Sequence, residues 1–126
     1  MPVSSLASQQ PAMPFPTIGQ PMPRAAEAYA TADKWQGWIL AAPGHGDEWA
    51  RVFHAGPQDG ERIWAAIAAT VLHAPVSVVR NRAPHGVVCG VDITLTINDR
   101  TASVATAWHY PDADAAPRLV TAYPSA

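Results

Sequence analysis

Two hydroxyl-bearing side chains stand near the end of the chain at a spacing that suits a phosphate ligand. Thr121 and Tyr123 are two residues apart in a segment rich in strand-forming residues, and alternate residues of a strand project from the same side of a sheet. Their Cα atoms then lie roughly 7 Å apart, about the span of a phosphodiester with its sugar. Both residues are therefore candidates for phosphate contacts, although Thr and Tyr also occur in strands simply because they form them well.

A histidine and an arginine near the middle of the chain could complete such a site. His45 stands between Gly44 and Gly46 just before a predicted helix, so its imidazole should be accessible. An imidazole can accept and donate a proton at neutral pH; alternatively, this histidine only begins the helix. Arg51 should lie near the same region and could bind a phosphate, although an ion pair with Asp47 explains it equally well.

Most other kinds of catalytic site lack their usual motifs. The five histidines, at positions 45, 54, 73, 85 and 109, never occur at metal-ligand spacings with a carboxylate. Phosphate-binding glycine loops and the GxSxG motif of serine hydrolases do not occur. Cys89 is the only cysteine, which excludes an internal disulfide, and we predict it to be a small apolar strand residue. We therefore expect no metal and no cofactor.

The charge of the chain counts against nucleic-acid binding. The formal net charge is −2, with eight basic residues scattered and in no run. A protein that binds nucleic acid usually carries a basic patch, because phosphate contacts supply most of the affinity. Any proposal that involves RNA must therefore rest on a local site.

The elements that would position these residues follow a proline-rich leader. Residues 1–23 contain six prolines, which remove amide donors and favour extended backbone, so a flexible linker is predicted there. Residues 24–126 are predicted to form one domain, because 126 residues leave little room for a second.

Three short helices are predicted before any strand. The first begins at the N-cap residue Thr31 and ends before Pro43 and Gly44. Its apolar face recurs at helical spacing and comprises Trp35, Trp38, Ile39 and Ala42. The second and third are predicted over residues 47–54 and 58–73.

The periodicity then changes from helical to alternating. Strands are predicted over residues 76–82, 87–97, 102–110 and 118–123, joined by connections of hairpin length. Consecutive hairpins give a four-stranded antiparallel meander. The predicted fold class is therefore α+β, with two to three N-terminal helices packed on the sheet.

Targeting signals are not evident in the sequence. The N-terminal residues lack the basic residue and following apolar segment of a secretory signal peptide. No apolar run approaches the 18 residues of a membrane-spanning helix. We expect a cytoplasmic protein with no membrane contact, and secretion as part of a delivery system is an alternative.

The ending Arg118-Leu119-Val120-Thr121-Ala122-Tyr123-Pro124 resembles the last strand of RNase A-like contact-dependent toxin domains. Over residues 31–124 the chain is also similar to a small bacterial domain family of unknown function, associated with phage and polymorphic-toxin proteins. The matching segments are Lys34 to Leu40, Pro43 to Gly46, Ala50 to Phe53, and Arg118 to Pro124.

This resemblance implies a metal-independent endoribonuclease that cleaves RNA by attack of the 2′-OH on the adjacent phosphate. By analogy His45 would be the general base, Arg51 would offset phosphorane charge, and Thr121 and Tyr123 would hold the phosphate. The substrate-binding candidates are Arg118, at the start of the same strand, and His109 on the strand before it.

Two alternatives remain open at this stage. The chain could be a non-catalytic interaction domain that binds a cognate immunity protein, a toxin or a phage component. It could also act on another phosphate substrate, for example by ADP-ribosyl transfer, although the acidic strand residue expected for that reaction has no convincing counterpart. The position of the Thr121 and Tyr123 side chains distinguishes the first alternative from catalysis. If they point into the helix-packed core they are structural, and if they share a cleft with His45 and Arg51 catalysis is favoured.

Overall fold

A computed structural model describes the chain over residues 15–40 and 45–125. The predicted α+β class is confirmed: helices precede a four-stranded antiparallel sheet with the strand order β1-β2-β3-β4. The strands, listed in order, are β1 Val76–Asn81, β2 Val87–Ile97, β3 Arg100–Tyr110 and β4 Arg118–Ser125.

The helices are short and lie on one side of the sheet. Helix α1 begins with the α-helical turn Ala32–Lys34 and continues as the π-helical turn Trp35–Ile39. Helices α2 and α3 span Gly46–Phe53 and Gly60–Val71, and the single turn Ala25–Glu27 precedes them. In this described part of the chain, no helix is long and apolar enough to cross a membrane.

The start of α1 agrees with its predicted cap, and its end departs from the prediction. The Lys34 amide donates to Thr31 Oγ1 at 3.3 Å, as expected for an N-cap threonine. The Leu40 amide donates to the Trp35 carbonyl five residues earlier, which marks the π-helical turn. The predicted extension to Ala42 and the predicted stop at Pro43 lie outside the described residues.

The core forms between α2, α3 and one face of the sheet. The alternation predicted for β2 and β3 is confirmed, because every second residue is buried from Cys89 to Ile97 and from Val104 to Tyr110. The sheet's largest fully buried residues are Val76, Val91, Val104, Trp108, Tyr110 and Leu119, and those of the helices include Trp49, Phe53, Ile63 and Ile67. Cys89 is also buried there, and burial raises the pKa of its thiol to about 12.

The last part of the predicted flexible leader packs against the domain. Ile18 pairs with Val76 at the start of β1, and the Gly19 amide donates to the Val76 carbonyl at 2.9 Å. Met22 is only 3% exposed, and the Tyr110 hydroxyl donates to the Pro23 carbonyl at 2.6 Å. Prolines are compatible with this arrangement because an edge position does not require every amide, so the packed chain begins before residue 24.

The middle and the C-terminal end of α2 are fastened to the sheet. In the turn between β2 and β3, Asn98 and Asp99 have φ angles of 52° and 64°, as a type I′ hairpin turn requires. The Asn98 side-chain amide donates to the carbonyls of Phe53 and His54 at 3.1 and 3.2 Å. Trp49 Nε1 donates to the Ala122 carbonyl of β4 at 3.1 Å. These contacts fix the position of the residues that begin α2.

Candidate functional site

The sheet has one face that the helices do not cover, and we call it the open face. Side chains alternate along each strand, so the residues that flank the buried ones belong to this face. The strand register aligns Gly90 with Ala107 and Ala107 with Thr121, and in the next row it aligns Ala105 with Tyr123. Thr121 and Tyr123 therefore project from the open face, away from the helix-packed core.

A β-bulge in β4 decides which other residues join them. Ala107 pairs with Thr121, but the next β3 residue, Trp108, pairs with Leu119, so Val120 is an extra residue in β4. A bulge of this kind shifts the alternation by one position. Leu119 consequently remains buried, and Arg118 pairs with His109 on the open face.

Thr121 and Tyr123 line a groove on the open face with a volume of about 310 Å³. The central strands contribute the small residues Gly90, Ala105 and Ala107 to its lining, together with Val88 and Asp92. Arg80 of β1 lines the groove from the other edge of the sheet, across from Thr121 and Tyr123 of β4.

His45 lies against Tyr123. The two rings are stacked, with centroids 4.8 Å apart and an angle of 26° between their planes. His45 Nδ1 is 2.7 Å from Glu48 Oε1, and both side chains are partly buried. A carboxylate only accepts hydrogen bonds, so this contact places the proton of a neutral His45 ring on Nδ1 and the lone pair on Nε2.

The start of α2 brings this imidazole to β4. His45 is the N-cap residue of α2, and it stands four residues before Trp49, so the two side chains lie on the same side of the helix. Trp49 is bound to the Ala122 carbonyl, and Ala122 precedes Tyr123. Fastening Trp49 to β4 therefore also brings His45 to the ring of Tyr123.

The hydroxyl of Thr121 has an unusual environment. Its oxygen is buried, and no group of the described residues forms a hydrogen bond with it. A buried polar group without a partner costs about 1–3 kcal/mol, and such cases often coincide with function. The side chain also lines the groove, so this hydroxyl lies close to any ligand bound there.

Arg51 is not brought to the groove. It is exposed, and it follows Trp49 by two residues, so its side chain leaves α2 about 200° around the helix axis from the Trp49 ring. The arginine that lines the groove is Arg80 of β1.

His109 and Arg118 form a separate pair on the open face. His109 Nε2 lies 2.5 Å from the His85 carbonyl, so it donates its proton to that oxygen. His109 Nδ1 then accepts from Arg118 Nη2 at 3.3 Å. Both ring nitrogens of His109 are therefore occupied by protein groups, one of which is the predicted substrate-binding residue Arg118.

Glu48, Arg80 and Asp92 belong to the site but were not among the residues predicted from sequence. The contact of Glu48 with His45 could have been predicted from the sequence, since the two are three residues apart and residues at that spacing on a helix are neighbours. Arg80 and Asp92 line the groove, but their place follows from the pairing of β1 and β2 with the rest of the sheet. Within residues 15–40 and 45–125, no three His, Cys, Asp or Glu side chains are grouped as metal ligands would be.

Comparison with known proteins identifies a family and no individual relative. No curated protein matches the chain, and no solved structure does. A family model described as "Domain of unknown function (DUF6883)" matches residues 22–126. The matched region covers Met22 and Pro23, which pack against the domain, and all four strands. The chain therefore belongs to the family of this domain of unknown function, DUF6883.

Proposed function

We propose that this domain is a metal-independent endoribonuclease that cleaves RNA by attack of a 2′-OH on the adjacent phosphate. The observation that carries the proposal is the stacking of His45 on Tyr123 at the edge of a groove, with Glu48 bound to the imidazole. This reaction needs a base, an oxyanion ligand and a cation, and the groove and its edge offer candidates for all three.

His45 acts as the general base in this proposal. The Glu48 carboxylate holds the proton on Nδ1 at 2.7 Å, which directs the basic nitrogen Nε2 away from Glu48. A carboxylate that fixes the tautomer and orientation of a histidine is a recurrent device of general base catalysis. Glu48 is therefore a positioning residue.

The hydroxyls and Arg80 bind the phosphate. Tyr123 holds the imidazole by stacking and offers its hydroxyl to a phosphate oxygen. Thr121 offers a hydroxyl that has no partner among the described residues, so a phosphate oxygen would satisfy it. Arg80 lines the same groove and takes the charge-stabilising role that the sequence analysis gave to Arg51.

The proposed step balances in atoms and charge. His45 Nε2 accepts the proton of the 2′-OH, and the 2′-oxygen forms a bond to phosphorus. The bond from phosphorus to the 5′-oxygen breaks, and that oxygen takes a proton from water or from the imidazolium. The products are a 2′,3′-cyclic phosphate and a 5′-hydroxyl end.

A second candidate function is a non-catalytic interaction domain. The net charge of −2 and the exposed carboxylate of Asp92 in the groove favour it, because both repel a polyanion. In that case the partner is a protein, such as a cognate immunity protein, a toxin or a phage component.

Growth inhibition on expression in a bacterial host separates the two candidates. We expect the unchanged protein to slow growth, as a toxin-like nuclease would, and we expect His45→Ala and Tyr123→Phe to relieve the inhibition. His73→Ala is the matched control, because His73 is an exposed histidine beyond the end of α3. No growth defect with the unchanged protein, or equal defects in all variants, would contradict the nuclease proposal.

A further inference from the structure

The open face carries a row of basic groups beside the groove. The strand register aligns Arg80 with Val88, Val88 with His109, and His109 with Arg118. We call Arg80, His109 and Arg118 the basic row. Although the chain is acidic overall, the placement of two arginines in one row of one face gives this surface a local positive charge.

Arg118 is held in place before any ligand arrives. Its Nη2 donates to His109 Nδ1 at 3.3 Å, and His109 Nε2 donates to the His85 carbonyl at 2.5 Å. A guanidinium has five N–H groups, and this contact uses one of them. In the described part of the chain, no carboxylate forms an ion pair with Arg80 or Arg118.

The basic row lies about one nucleotide beyond Thr121. On β3 the row lies at His109, and the partners of Thr121 and Tyr123 are Ala107 and Ala105, so the row is about 7 Å from the Thr121 row and about 13 Å from the Tyr123 row. The shorter of these distances is the one that we compared with one phosphodiester and its sugar.

We propose that the His109–Arg118 end of the basic row is a second phosphate subsite, which holds a neighbouring phosphate of a single-stranded RNA whose scissile phosphate lies at Thr121 and Tyr123; Arg80, at the other end of the row and in the groove lining, contacts the scissile phosphate. This inference rests on the proposed function. A groove of about 310 Å³ has room for a nucleotide. Asp92, in the Tyr123 row, lies two rows from Arg80 and Arg118, so it does not neutralise the basic row.

The test measures binding of a 12-nucleotide 2′-O-methyl RNA, which lacks the attacking hydroxyl and is not cleaved. Fluorescence anisotropy gives Kd at several salt concentrations for the unchanged protein, Arg118→Ala, Arg80→Ala and the matched control Arg100→Ala, an exposed arginine at the start of β3. We expect the first two variants to weaken binding about tenfold. Each should reduce the slope of log K against log salt by about 0.7, and Arg100→Ala should change neither.

A 2′-O-methyl dinucleotide provides the length control. It has one phosphodiester, so when that phosphate lies at Thr121 and Tyr123 none remains for the basic row, and Arg118→Ala should leave its Kd unchanged. His109→Ala should weaken the 12-mer in the same direction as Arg118→Ala, because it removes the group that positions the guanidinium. Thermal unfolding of each variant shows that it is folded.

The outcomes distinguish this subsite from the nuclease proposal. Binding that depends on Arg118 without cleavage of unmodified RNA would support the subsite and contradict the nuclease. Cleavage with equal binding by Arg118→Ala and Arg100→Ala would contradict the subsite and leave the nuclease in place. Failure of the unchanged protein to bind the 12-mer would overturn the subsite.

Discussion

The imidazole of His45 lies almost flat on the phenol ring of Tyr123, with ring centroids 4.8 Å apart. These residues come from the start of α2 and from the last strand, which are far apart in the sequence. The contact joins a group that can take up a proton to a hydroxyl at the edge of a groove. It is the geometric basis of the proposed nuclease site.

Glu48 should affect turnover and not substrate binding. Its carboxylate contacts His45 Nδ1 at 2.7 Å, so Glu48→Gln should weaken control of the imidazole tautomer and orientation. We expect kcat for RNA cleavage to fall about tenfold or more, while KM changes little because Glu48 does not touch the substrate. The control is Glu61→Gln, an exposed glutamate on α3. A rise in KM with an unchanged kcat would show that Glu48 binds the substrate instead.

Thr121→Val should raise stability and lower activity. The Thr121 oxygen is buried without a partner, so replacing the hydroxyl by a methyl group of the same shape should increase the free energy of unfolding by up to about 1 kcal/mol. The same change removes a phosphate ligand, and cleavage should fall. Denaturant unfolding and RNA cleavage measured on one preparation test both effects. A stabilised variant with full activity would remove Thr121 from the site.

The two arginines Arg80 and Arg51 should differ in their effect on cleavage. Arg80 lines the groove, so Arg80→Ala should reduce kcat/KM about tenfold or more. Arg51 is exposed and turned away from the Trp49 side of α2, so Arg51→Ala should change kcat/KM by less than about twofold. The opposite order would favour the prediction made from sequence over the placement found in the structure.

The Tyr110 hydroxyl should hold the end of the proline-rich leader, residues 15–23, on the domain. It donates to the Pro23 carbonyl at 2.6 Å, and burial raises the pKa of this phenol, so it stays protonated at ordinary pH. Tyr110→Phe leaves that carbonyl without its donor and should lower the free energy of unfolding by about 1 kcal/mol. Trypsin cleavage after Arg24 should become faster. Tyr29→Phe, at an exposed tyrosine, is the control, and equal cleavage rates would contradict the role of Tyr110.

The sheet could be predicted because the alternation of apolar and polar residues within each strand is visible in a short stretch of sequence. Apolar residues at every second position of β2 and β3 identify the buried face, and one-sided burial then determines which residues lie opposite. The same rule placed Thr121 and Tyr123 on one face. The turn at Asn98 and Asp99 was also evident from residue type, because both adopt positive φ angles readily.

The rest of the site depends on contacts between distant parts of the chain. The bulge at Val120 puts Arg118 on the open face, and strict alternation along β4 does not reveal it. Arg80 reaches the groove only through the pairing of β1 with β2. The predicted leader contains many prolines, but Met22 fills a place in the core, and one buried side chain with a few edge contacts is enough to pack that segment.

Cleavage of an RNA oligonucleotide by the purified protein tests the central claim most directly. With EDTA present, the account predicts products that end in a 2′,3′-cyclic phosphate and a 5′-hydroxyl. It also predicts at least about a hundredfold loss of rate in His45→Ala, with His73→Ala unaffected. Intact RNA after incubation with the unchanged protein, or equal cleavage by His45→Ala, would contradict it.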